Sequence, residues 1–85
     1  MTGERVLDVC GLEPPEPLER TLAALDTLAS GEYLRLRIHR VPYPLYPMLE
    51  QWGYVYRVRN GADSTYEIQI WRAGDEQAER AAAHA

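Results

Sequence analysis

The chain has 85 residues, 46% of them hydrophobic and 26% charged, with a formal net charge of -4. That is enough for one small core and too little for two domains, and it is the composition of an ordered globule rather than of a disordered or fibrous chain. One cysteine rules out an internal disulfide, the charged opening M-T-G-E-R-V-L-D lacks the apolar run of a signal peptide, and a pI near 5.0 opposes nonspecific nucleic-acid binding. A cytoplasmic protein without a membrane segment is the expectation.

Residues Arg5 to Val9 read as a short first strand closed by Gly11. A helix is predicted next, with Pro17 at its first position and Glu16 and Glu19 at the positive end of its dipole. Leu18, Leu22, Leu25 and Leu28 recur at steps of four, three and three, so one face of that helix packs, and Ser30-Gly31 supplies the stop. From Tyr33 to His39 the alternation is strict, Leu34, Leu36 and Ile38 on one face and Arg35, Arg37 and His39 on the other, as in a half-buried strand.

Three prolines then lead into a short predicted helix from about Leu45 to Trp52, ended by Gly53. Tyr54 to Arg59 and Thr65 to Arg72 are rich in aromatic and β-branched residues and predict a hairpin, with Asn60-Gly61 as its turn dipeptide. The last stretch, A-G-D-E-Q-A-E-R-A-A-A-H-A, has good helix formers but no large apolar side chain to dock, so residues 73–85 are expected to be a flexible tail. The domain is expected over residues 5–72, after an N-terminal extension of residues 1–4.

The order β-α-β-α-β-β implies a parallel first pair joined by a crossover, and a two-layer α+β sandwich with both helices on one face of a four-stranded mixed sheet. The stretch L-D-V-C-G-L-E-P-P-E-P-L, from Leu7 to Leu18, resembles the signature of the TusA-like (SirA-like) sulfur-carrier domains, in which a strand ending L-D-x-x-G-L leads into C-P-x-P at the first helix. The resemblance runs from about Leu7 to Trp71 and implies the strand order 1-2-4-3. Pro14 stands at the position of that family's reactive cysteine, while Pro15-Glu16-Pro17 keeps its pattern. More narrowly, H-R-V-P-Y-P-L-Y-P-M-L-E and Y-E-I-Q-I-W-R resemble the DUF2249 subfamily, in which the cysteine is commonly missing. What the resemblance implies is a setting in sulfur or redox metabolism.

Two parallel strands deliver their carboxyl ends to one edge, beside the first helix, and open α/β sheets favour such edges for binding. Cys10, Glu13, Glu16, His39, Arg40, Tyr43 and Tyr46 are expected to gather there. Cys10 reads either as a small half-buried side chain or as a nucleophile replacing the missing thiol, with Glu13 and Glu16 working against the latter. His39 reads as a structural group, as a hydrogen-bonding partner for a ligand, or as a metal ligand with Glu13, Glu16 or Cys10, although no paired metal spacing accompanies it. His84 falls in the tail and carries no weight. Tyr43 and Tyr46 either cover the core or form a rigid recognition wall between Pro42, Pro44 and Pro47.

Arg35, Arg37, Arg57, Arg59 and Trp71 share the outward parity of the sheet with His39, Glu67 and Gln69. They form either a self-paired solvated face or a second surface for an acidic protein, an anion or RNA. No G-x-G-x-x-G, P-loop, H-E-x-x-H or serine-elbow motif is present, which lowers the expectation of a self-contained enzyme and implies no cofactor. The reading favoured is a noncatalytic module that recognises a protein partner or a small ligand.

Overall fold

In a computed structural model, which describes residues 3–85, the chain runs β1 (Glu4–Asp8), α1 (Glu16–Asp26), β2 (Tyr33–Ile38), α2 (Leu45–Gln51), β3 (Tyr54–Asn60), β4 (Tyr66–Arg72) and α3 (Glu76–Ala83). The anticipated extension of residues 1–4 lies partly outside the described residues, and Glu4 already belongs to β1. One four-stranded sheet has the order β1-β2-β4-β3, so β1 and β3 are its edges. β1 runs parallel to β2, and β4 runs antiparallel to both β2 and β3. The mixed sheet, its order and the parallel first pair match the sequence expectation.

Alternation along β2 and β4 turns Leu34, Leu36, Ile38, Ile68 and Ile70 to one face, where they are buried against Leu25, Leu28, Leu45 and Leu49. Each such side chain contributes about 1.5–3 kcal/mol of apolar burial. The leucine stripe of α1 docks as its spacing requires, although the helix ends at Asp26 and Leu28 reaches the core from the turn beyond it. Glu16 rather than Pro17 opens α1, and Ser30-Gly31 lies in the following turn. Thr21 is buried on the same stripe because its hydroxyl donates to the carbonyl of Pro17 at 2.8 Å.

The carboxyl end of α1 has no basic residue of its own in the last turn. Arg5, from β1, supplies the charge instead. Its guanidinium donates to the Ala24 carbonyl at 3.1 Å, to Thr27 Oγ1 at 2.6 Å and to the Thr27 carbonyl at 2.8 Å, and pairs with Glu32 at 3.0 Å. A single planar fork thereby satisfies the Thr27 carbonyl just past the helix end and adds a donor to the Ala24 carbonyl, which also accepts the Thr27 N-H at 3.2 Å.

Residues 73–85 are not a tail. They contain α3, which packs on the sheet face opposite α1 and α2, with Ala78 and Ala82 fully buried against Tyr33 and Trp71. The missing apolar bulk comes from the sheet: two alanines at i, i+4 let the helix backbone approach, and the aromatic rings fill the space. Asp75 caps the helix, its Oδ1 accepting the Ala78 N-H at 3.1 Å and its Oδ2 accepting the Gly31 N-H at 2.8 Å. Gly31 has φ of +80°, and a Cβ there would meet the Gln77 side chain, so this anchor needs glycine. Gln69 Nε2 closes the other end by donating to the Ala82 carbonyl at 2.9 Å.

This third helix also corrects the reading of the sheet's second face. Trp71 and Gln69 are 3% and 2% exposed, covered rather than available. Arg35 lies between Glu4 at 3.6 Å and Glu67 at 3.7 Å, and Arg57 sits 5.7 Å over the Trp71 ring. Arg37 buries its Nε without a hydrogen-bond partner among the described residues, and of the four arginines Arg57 and Arg59 are the exposed ones. What remains is a largely self-compensated surface, not an open basic stripe.

The hairpin turn also differs from expectation. The ladder carries β3 through Asn60, paired with Tyr66, and the Gly61 N-H donates to the Thr65 carbonyl at 2.8 Å. Gly61 is needed because a Cβ would meet Thr65 Oγ1 at 2.6 Å, not because it forms the bend. Reversal falls on Asp63 and Ser64, with φ of 56° and 62°, closed by the Thr65 N-H on the Ala62 carbonyl at 3.1 Å. Left-handed backbone at both central positions is the primed turn that favours Asn-Gly. The double substitution Asp63→Asn, Ser64→Gly is therefore expected to raise the free energy of unfolding by about 1 kcal/mol, read as a higher urea midpoint at unchanged slope.

Among the described residues no helix is long and apolar enough to cross a membrane.

Candidate functional site

The parallel pairing of Leu7 with Leu36 and Asp8 with Arg37 brings the ends of β1 and β2 level, and the Val9 N-H extends the ladder to the Arg37 carbonyl at 2.9 Å. Beyond it the chain bends at Gly11, φ 84°, and enters α1 through a cis Pro14-Pro15 peptide. The two segments are tied together at the bend, where the Gly11 N-H donates to His39 Nδ1 at 3.3 Å. With Nδ1 accepting, the neutral imidazole carries its hydrogen on Nε2, which is left as a donor.

Between the mouth of α1 and the β2-α2 connection lies a cavity of about 300 Å³. Leu12, Pro14, Pro17 and Leu18 form one wall, and Val41, Pro42, Pro44 and Leu45 form the opposite one. Leu36, Ile38 and Thr21 are also in contact with it, and His39 and Arg40 are its ionisable lining residues, both on the exposed side. Volume and lining place it at the small end of the range of small-molecule sites, roughly 300–1,000 Å³ and predominantly apolar.

Two of the predicted site residues, His39 and Arg40, line this cavity, and five do not. Glu16 is held away in a pair with Arg20 at 2.7 Å. Glu13 is exposed and contributes only its carbonyl, which accepts the Glu16 N-H at 3.0 Å. Tyr43 is 73% exposed and meets Tyr46 edge to face at 6.4 Å. Tyr46 packs on the core and stacks on Tyr56 at 4.7 Å, so it belongs to the wall's support rather than to its surface. Burial, and then the neighbouring Tyr56 and Tyr43, push the Tyr46 hydroxyl above its ordinary pKa, as expected for a tyrosine with structural duties.

Cys10 sits outside the cavity, half-buried, with its backbone N-H donating to Asp8 Oδ1 at 2.9 Å. Burial raises its thiol pKa, and the Asp8 carboxylate raises it further, more than nearby Arg37 lowers it. That is the opposite of the depressed value a nucleophilic thiol needs. Among the described residues no three His, Cys, Asp or Glu side chains converge to hold a metal, so His39, Glu13, Glu16 and Cys10 do not form the ligand set considered from sequence.

The missed residues are the apolar ones. Leu12, Pro14, Val41 and Pro42 carry no chemistry that a motif scan registers. Their signal was the proline density on both sides of the predicted edge, Pro14-Pro15-x-Pro17 and Pro42-x-Pro44. Fixed φ angles and absent N-H groups make such segments rigid walls without secondary structure to fill the gap between them.

A family model described as an uncharacterized conserved protein, DUF2249, matches residues 6–72. Among solved structures, the chain is similar to a SirA-like protein from Desulfitobacterium hafniense, with 22% identity and a TM-score of 0.67, over 76% of this chain and 92% of that one. At that identity the likeness speaks to fold. No curated protein matches.

Proposed function

This chain belongs to the DUF2249 family, and we propose that it is a small noncatalytic SirA-like module that recognises a small ligand, or a group presented by a partner, in the proline-walled cavity at the mouth of α1. The observation that carries this reading is the cavity itself. It is a preformed, largely apolar space at the edge where the parallel strands end, which is where open sheets of this kind bind. A noncatalytic role follows from what lines it. Pro14 stands where the sulfur-carrier signature has its cysteine, and the chain's own thiol lies outside with its pKa raised. The resemblance to sulfur carriers supplies the proposed setting of sulfur or redox metabolism.

Leu18 lines the cavity from α1 and is only partly buried, so an indole can be placed there at the cost of the cavity rather than of the core. In a screen of apolar fragments by amide chemical-shift mapping, binders should perturb Leu12, Leu18, Val41 and Leu45 together. Leu18→Trp should weaken them by at least about tenfold, the equivalent of roughly 1.4 kcal/mol, while circular dichroism stays native. Fragments that map elsewhere, or that bind the Leu18→Trp protein undiminished, reject the cavity as the site.

A further inference from the structure

Resting on the reading of this cavity as the binding site, we propose that its occupant is a small amphipathic acid, an apolar body with one carboxylate at its end. The interior accepts only the first part. The single polar side chain in the deep wall is Thr21, which is 1% exposed and spends its hydroxyl hydrogen on the Pro17 carbonyl at 2.8 Å. A polar substituent carried inward would lose its water and find little to replace it.

The rim selects the other part. His39 receives the Gly11 N-H on Nδ1, which leaves Nε2-H as a donor, and the Arg40 guanidinium has no ion pair or side-chain hydrogen bond among the described residues. No carboxylate lines the cavity, so both polar groups at its edge donate and neither is answered by the protein. An anionic acceptor next to an apolar body is the complement. The charge of the whole chain, -4, then limits how much negative charge is welcome, favouring a monoanion over a phosphate ester or a nucleotide.

The test is a titration of the isotope-labelled full chain with octanoate, 1-octanol and octylammonium, each read at the amides of Leu12, Leu18, Val41 and Leu45. Octanoate should bind about fivefold more tightly than octanol, the scale of a partly exposed charge contact, and octylammonium more weakly than octanol. Arg40→Gln should erase the octanoate advantage and leave octanol unchanged. Octanol binding as tightly as octanoate, or an Arg40→Gln protein with its preference intact, overturns the acid while the cavity stands as an apolar site. Shifts that cluster away from these four amides for all three compounds overturn the cavity and the acid together.

Discussion

Removal of residues 75–85 is expected to lower the free energy of unfolding by about 3 kcal/mol, because it uncovers Tyr33 and Trp71, two large rings whose burial is worth at least that much before the helix's own ordering cost is subtracted. Trp71 is 3% exposed and Trp52 is 54% exposed, so fluorescence in a Trp52→Phe background isolates the buried ring and should shift to longer wavelength on truncation. Ala82→Glu provides a graded version, placing a carboxylate at a position that has no exposed surface. An unchanged denaturant midpoint and emission in both variants contradict the packing described for α3.

Acid should reach the same contact from another direction. The Gly31 N-H, followed by the Ala78 N-H, holds the Asp75 carboxyl below its ordinary value of 3.8. A folded-state value below the unfolded one gives stability that is complete above the unfolded value and is lost as pH falls through the folded one. The stability difference between the wild type and Asp75→Asn, which has no proton to take up, should therefore narrow steadily below about pH 3.8.

Arg5→Ala is expected to cost about 2 kcal/mol, since it removes a charged donor shared by the Ala24 carbonyl, the Glu32 carboxylate and the Thr27 carbonyl, the last of which accepts from no other group among the described residues. The side chain is 32% exposed, and its contacts are distributed over three residues on two segments. Arg5→Lys should recover little of that loss, because an ammonium is a point donor and cannot span the carbonyls and the carboxylate together. Urea denaturation decides it. A loss for Arg5→Ala below about 1 kcal/mol would reduce the arginine to an ordinary surface ion pair.

The contrast between Arg5 and α3 shows what the sequence made legible. Strand alternation at Leu34, Leu36 and Ile38, and the leucine stripe of α1, state their own burial, so the core and the parallel crossover followed from periodicity. α3 was hidden because its docking face is two alanines, whose meaning depends on Tyr33 and Trp71 standing opposite. The hairpin was placed correctly, but its bend was not. The ladder between Asn60 and Tyr66 outweighed the local preference of Asn60-Gly61 and pushed reversal onto Asp63-Ser64. Arg5, an inward cation on an edge strand, gave no hint that it serves a helix end in another layer.

At the candidate site, the cavity lies at the edge to which topology pointed, and His39 and Arg40 line it. Attention to residues with reactive side chains brought in Cys10, Glu13, Glu16, Tyr43 and Tyr46, which are engaged elsewhere or face solvent. A cavity is made by what fails to fill space, and no single residue type announces that. Leucine and proline wall it here because two irregular segments, each stiffened by proline, cannot close on one another.

β3 ends the sheet with its outer backbone groups unmatched, carrying Val55 and Val58 at 39% and 42% exposure and the exposed Arg57 and Arg59 between and beyond them. Two molecules zipping together along that border about Arg57 would set guanidinium against guanidinium, a repulsion that guards against fibril-like growth. Its strength is set by the solution: counterions shorten its reach, so the molecule's colloidal behaviour is tied to ionic strength through two arginines that no carboxylate pairs with among the described residues, Arg57 resting on the Trp71 ring and Arg59 on the Ala85 carbonyl.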